Sequence, residues 1–492
     1  MLTQFRDYLS ILACGFSVAS GAAAQDRDDF HHLIEINMAS LLMLVEEDLV
    51  PDRLAERIAS GTLIVEEEQR AEGARRSDNY LVFERRLIEL AGPEASRLHT
   101  GRSRQDIGST LRRMILRQAA LNTYSGQLAA RRSLLNLAEQ NADIVIPAYT
   151  HGVQAQPVSV GHYLAAFATA LQRDAERLRA SFVRLNQSPL GAAALGTSGF
   201  PINRERLAAL LGFDGVVINS YDANLVSSVD SKIEFASALS VSAIAVGQLM
   251  ENLHTQYHGP RPWFMLAESQ TDVSSIMPQK RNPRPLDRVR LLASGVVGSA
   301  HTVTLNAHNT NSGMNDYRPA TQALDAAAQA DDMYAAYVRV LDNLVVIDSR
   351  ALDEINAEYS TMTEVADVLL RRAGVPFRVA HHYASELTTY GRTRNRRPLE
   401  LTDDELEDIY AEAIGEPLPI DVRWIRSAME PRDMVAARKG LGGPQPAEVA
   451  KMLEALNDQL RLDTEWLEET RGKLGATAES LRAEFEALAA RN

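Results

Sequence analysis

The feature that most constrains this chain is a run of apolar or small residues at helical spacing that continues for many turns. From Ile233 it passes through Ala236, Leu239, Ala243, Val246, Met250 and Leu253 to Tyr257, a mean step of about 3.4 residues. Helices that pack knobs into holes favour a step of roughly 3.5. Similar patterns run over 109–141, 159–185 (opened by Ser159), 284–308 and 319–347, the last opened by Pro319 at a first-turn position. One small domain cannot cover helices of this length, so they imply a long bundle shared between subunits. Strand alternation with hairpin turns is nearly absent and no βαβ rhythm appears. The expected fold class is therefore all-α.

Charge and cysteine content narrow the function. Across 492 residues, 51 Lys and Arg stand against 65 Asp and Glu, a net charge of −14, which disfavours nucleic acid or an anionic membrane as the main partner. The single cysteine, Cys14, excludes an intrachain disulfide framework and a cysteine-based zinc site. Residues 9–24 have the small and apolar composition of a secretory segment. Asp7 directly after Arg6, and the Gly and Ser that dilute the run, favour a packed N-terminal stretch of a cytoplasmic enzyme instead.

Polar chemistry concentrates where the helical patterns break. Ser274-Ser275-Ile276-Met277-Pro278-Gln279-Lys280-Arg281-Asn282-Pro283 sets two hydroxyls, a cation and an amide in an aperiodic segment ahead of a long helix. Its backbone amides, with Lys280 and Asn282, suit a carboxylate whose charge grows during a reaction, although a Ser/Pro turn capping the next helix would look the same. His99 to Asp106 places Arg102 and Arg104 among hydroxyls at a helix start, which reads either as a bidentate carboxylate site or as a loop with surface arginines. Thr150-His151-Gly152-Val153-Gln154-Ala155-Gln156-Pro157 is unusually polar for a stretch beside an apolar helix. Other chemistries lack their residues. Thr255 stands between His254 and His258 where a metallohydrolase helix carries Glu, and no phosphate-binding loop, dinucleotide fingerprint or nucleophile elbow is present. What remains is cofactor-free and built on carboxylate-binding groups.

These residues carry a resemblance. Ser274–Pro283 resembles the signature loop of the fumarase/aspartase superfamily, and the 100–106 and 150–157 segments are similar to its other two regions in the argininosuccinate lyase branch. Pro189–Gly191, Phe200–Arg204, Glu35–Asn37 and Arg438…Gly443 match the same branch in order along the chain. The resemblance implies an all-α fold of three domains, expected at 1–108, 109–355 and 356–492, with the central bundle assembling into a homotetramer. Each active site would then take one region from each of three subunits. The implied reaction is anti β-elimination from a succinyl group, giving fumarate and an amine. Removing the proton beside a carboxylate puts a second negative charge on that carboxylate, so pre-oriented donors must meet it more strongly in the transition state than in the substrate. By resemblance Ser274 takes the proton and Lys280 and Asn282 stabilise the charge, each donor worth roughly 3 kcal/mol. Arg104, Ser103 and Thr150 match positions that hold substrate carboxylates, and Gln105, Gln156, Ser275 and Met277 complete that lining. His151 matches a histidine near the leaving group, and its glutamate partner corresponds to Asp287.

The sequence departs from the family pattern at several positions. The signature glycine is Val273, the family asparagine after Ser103-Arg104 is Gln105, and an upstream histidine is Tyr80. Argininosuccinate lyases hold the arginine end with a Tyr, a Gln and a Lys, and those positions read Asn309, Met314 and Tyr317 here. The half that forms fumarate is retained and the amine half is rebuilt. The leading expectation is therefore a carbon–nitrogen lyase acting on an N-substituted aspartate of aminopolycarboxylate type, as ethylenediamine-disuccinate lyases of this family do. The alternatives are argininosuccinate lyase itself and a catalytically silent structural homologue.

Overall fold

The computed structural model describes residues 28–71, 73–74, 76–317 and 321–491. Residues 9–24, weighed above as a secretory segment, and Pro319 lie outside the described residues. Strands among the described residues are confined to four two-stranded ribbons, and the rest of the regular structure is helical, in keeping with the all-α expectation. The chain divides into two compact units. One comprises residues 28–115, 187–224 and 474–491 of the described chain, and the other residues 116–186 and 225–473.

In the first unit, α1 (Asp29–Glu46) is capped by Asp28, whose carboxylate accepts the His31 amide at 2.9 Å. It is buried from Leu33 to Leu44 and packs with α2 (Asp52–Arg70) and α3 (Tyr80–Ala91). A carboxylate sits inside this packing. Burial alone would raise the Glu35 carboxyl, but hydrogen bonds from His31 and His32 outweigh it and hold the group well below the usual carboxylate range. His32 Nδ1 lies 2.8 Å from Oε2 and His31 Nε2 3.3 Å from Oε1. A depressed carboxyl contributes stability that is present above its ordinary value of 4.5 and is lost as pH falls towards the folded value. Melting followed by circular dichroism across acid pH is expected to show a shallower loss of stability below about pH 4.5 for Glu35→Gln than for wild type. Equal slopes would contradict this account.

The second unit is built on four long helices: α5 (Val160–Leu185), α6 (Ser227–Thr255), α7 (Arg284–Ala307) and α8 (Thr321–Leu341). They occupy four of the periodic stretches, and α6 packs against each of the other three. Ser159 caps α5 by accepting the His162 amide at 3.3 Å, and Pro285 lies in the first turn of α7. The stretch Ser227–His258 is long and apolar enough to cross a membrane by length and composition, and half of its most apolar window is buried inside the protein. α4 (Arg104–Gln140) passes from the first unit into the second.

Two stretches differ from the expectation. Residues 344–346 form a strand paired with Phe264–Leu266 rather than continuing α8, because Leu344-Val345-Val346 suits a pleated surface and has a partner. Residues 145–159 form a hairpin, β1 (Val145–Thr150) against β2 (Val153–Ser159). Its two-residue turn, His151-Gly152, has positive φ at both positions, 54° and 77°. That is the geometry whose twist matches paired strands, reached here without the usual Asn-Gly.

Candidate active site

The Thr100–Asp106 segment is held by two buried charges. Gly101 has a φ of 68°, and a Cβ there would run into the Ile202 side chain, so the turn needs glycine. Arg102 turns inward. It donates to Asn37 Oδ1 at 2.9 Å, Ser40 Oγ at 3.0 Å and the Tyr80 hydroxyl at 3.3 Å, and its guanidinium lies 5.0 Å from the Tyr80 ring centroid. Tyr80 stacks on His99 at 4.7 Å and donates to Glu84 at 3.1 Å. Burial pushes the Tyr80 phenol up to about 12 despite the opposing pull of Arg102, so it stays protonated as a donor. Burial and then Arg102 depress His99. Tyr80 thus acts as a buttress beneath the segment.

Asp106 is the second fixed point. Its two oxygens accept the Ser103 amide at 2.7 Å and the Gly191 and Ala193 amides at 3.0 and 3.1 Å. Burial raises its carboxyl above the usual range even though these three donors favour the ionised form. One carboxylate therefore ties Ser103–Gln105 to the 189–193 segment. Arg104 opens α4, is exposed, and has no acidic partner among the described residues. Of the two arginines in the motif, only Arg104 is free to meet a ligand. Ser103 Oγ accepts the Gln105 amide at 3.2 Å, which orients the turn into the helix.

The hairpin carries Thr150 and His151 at its exposed tip. It is fastened to α9 (Asp348–Ile355): the Tyr149 hydroxyl donates to Glu354 Oε1 at 3.0 Å and Gln154 donates to the Glu354 carbonyl at 2.9 Å. Gln156 donates to the Thr363 hydroxyl at 3.2 Å, so its amide supports the scaffold in this conformation.

The signature segment is a short hairpin as well. Asp272-Val273 pairs with Arg281-Asn282 and closes the loop at its base. Within it, Ser274 Oγ accepts the Met277 amide at 3.2 Å, and the Lys280 amide donates to the Met277 carbonyl at 3.0 Å. Arg281 clamps the turn, donating to the Pro278 carbonyl at 2.7 Å and to Glu268 at 3.1 Å. Lys280 and Ser275 are exposed, and Lys280 makes no ion pair among the described residues. Val273, at the signature-glycine position, is 68% exposed within the base ribbon, so its side chain costs no close contact there. Asp287 lies in the first turn of α7, 3.8 Å from Arg290, and makes no contact with His151 among the described residues.

Contacts place the two hairpins at one end of the second unit. Asn252 at the end of α6 donates to the Tyr163 hydroxyl near the start of α5 at 3.0 Å. Glu251 and His254 on the same turn engage Arg290 at the start of α7, the latter at 3.0 Å. The segment holding Asn309, Met314 and Tyr317 follows the other end of α7. That helix has 24 residues, about 36 Å at 1.5 Å per residue. Asn309, with a φ of 59°, turns the chain out of the helix, and Met314 is exposed. Within one chain Asn309 and Met314 therefore do not meet Ser274. Sequence reasoning passed over Asp106 as an organiser and Arg281 as a clamp. Both stood inside quoted motifs, but only the fold shows which backbone groups they reach.

A family model described as lyase matches residues 65–298, and one described as argininosuccinate lyase C-terminal matches residues 359–436. The argininosuccinate lyase of Natronomonas pharaonis is 34% identical over 465 residues, covering 93% of this chain and 91% of the relative. That of Methanosarcina mazei is 32% identical and covers 89% of each. The chain belongs to the argininosuccinate lyase family. It is thus a carbon–nitrogen lyase of the fumarase/aspartase superfamily, of the kind that releases fumarate. Among solved structures, EDDS lyase in complex with formate superposes with a TM-score of 0.85 at 28% identity, covering 94% of this chain and 92% of that one. A variant of that enzyme with bound fumarate is equally similar. Class II fumarase from Schistosoma mansoni, at 15% identity and a TM-score of 0.64, shares the fold.

Proposed function

We propose that the protein cleaves an N-substituted aspartate of aminopolycarboxylate type by anti β-elimination, reversibly, as a cytoplasmic homotetramer with domains near 1–108, 109–355 and 356–492. The observation that carries the reading is the Ser274–Lys280 turn, which holds the serine oxygen in an amide hydrogen bond and leaves Lys280 exposed on the same turn without an ion pair among the described residues. A serine hydroxyl is a weak base unless its anion is stabilised, and the amide and Lys280 supply that stabilisation. Lys280 and Asn282 then meet the charge that grows on the substrate carboxylate. Arg104 and Thr150 hold the carboxylates, and His151, with Asp287 from a neighbouring subunit, orients the departing nitrogen. The loop is exposed and free to close over substrate, which would exclude water. The separation of Ser274 from the 309–317 segment by the length of α7 supports a site assembled from several chains.

The reading favours an aminopolycarboxylate because Asn309, Met314 and Tyr317 lack the cation and the glutamine amide that the family sets against arginine. The names of the relatives favour a second reading, argininosuccinate lyase itself. Incubating purified protein with fumarate and a panel of amines, arginine included, separates the two. Adducts with ethylenediamine and related diamines and none with arginine are expected, whereas rapid turnover of argininosuccinate would overturn the substrate assignment.

A further inference from the structure

Behind the β1–β2 hairpin lies a cavity of about 510 Å³ that the elimination chemistry does not use. Its size suits a small organic ligand. Ile146, Leu253 and Phe264 give it an apolar floor, and the Trp263 indole, stacked on Tyr149 with centroids 6.0 Å apart and 12° between planes, forms one wall. Two charged side chains, Arg261 and Glu354, line the same space. Glu354 receives only the neutral Tyr149 hydroxyl and has no cationic partner among the described residues. Arg261 lies 2.9 Å from Asp353, but Asp353 also holds Arg397 at 2.8 Å, so one carboxylate serves two guanidiniums.

Neither Thr150 nor His151 lines the cavity, although Gly152 of the same turn borders it. Tyr149 and Gln154 are cross-strand partners that both reach Glu354, and side chains alternate along a strand. Thr150 and Val153, the next pair, therefore stand on the opposite face. An unpaired carboxylate and a half-compensated guanidinium around an apolar, aromatic-walled space are complementary to a zwitterion with an apolar body.

We propose that this cavity binds a free α-amino acid with an apolar side chain, its carboxylate on Arg261 and its ammonium on Glu354. The test is calorimetric titration of the full-length protein with L-leucine and L-phenylalanine, with acetate and butylamine as single-charge controls. Because it requires no turnover, its result is independent of the lyase reading. Saturable binding of at least one amino acid is expected, undisturbed by saturating fumarate, with the controls failing to bind. Arg261→Gln alters an exposed side chain and Glu354→Gln keeps the shape of its acceptor, and each is expected to weaken binding by about tenfold or more, as loss of one charge-assisted contact should. Absence of binding by both amino acids, displacement by fumarate, or affinity unchanged in both variants would overturn the proposal.

Discussion

Ser274→Ala is expected to lower kcat for fumarate release by about 10³-fold, within the range for a positioned general base, while KM changes by less than about threefold. The asymmetry follows from the geometry. Ser274 Oγ is tied to the Met277 amide, so its removal leaves Lys280 and Asn282 to bind substrate carboxylate but leaves no group to accept the proton. Steady-state assays of fumarate absorbance on any substrate found in the amine panel provide the measurement. Melting temperature should hardly move, because the turn is a partly exposed hairpin outside the helical packing. Fumarate release at the wild-type rate would remove Ser274 from the chemistry.

A loss of stability of about 3–5 kcal/mol is expected for Asp463→Ala, measured by denaturant unfolding. Arg131 on α4 is fully buried and lies 2.5 Å from the Asp463 carboxylate, itself only 2% exposed. The alanine leaves a fully buried guanidinium near Tyr124 without its anion. The double replacement Arg131→Met with Asp463→Leu should recover most of the loss, since apolar groups of similar volume satisfy such a site without any ion. A single variant as stable as wild type would show that the pair contributes little.

Much of this molecule was legible before its fold was known, for identifiable reasons. Repeating apolar spacing marks long helices directly, so the runs around Ile233 and Ser159 correspond to α6 and α5. The three polar segments stood out because buried helical bundles have little use for such residues. The β1–β2 hairpin was not legible. Its turn is made by His151-Gly152, and its strands are braced by Tyr149 and Gln154 on Glu354, some 200 residues away. Residue chemistry alone left both arginines of the 100–106 segment as carboxylate ligands, and only the resemblance singled out Arg104. Only the depth of Asn37, Ser40 and Tyr80 decides that Arg102 faces inward and Arg104 outward.

α7 works as a spacer of fixed length and phase. Inserting or deleting one residue would swing everything beyond it by about 100° and 1.5 Å relative to the signature hairpin, so the interval can hardly drift. Within one chain, what lies past its far end is mechanically insulated from the turn that holds Ser274. Side chains around Asn309 and Met314 can be exchanged without disturbing the turn that holds Ser274, so on the proposed reading the amine could change while the acid-forming chemistry stays intact.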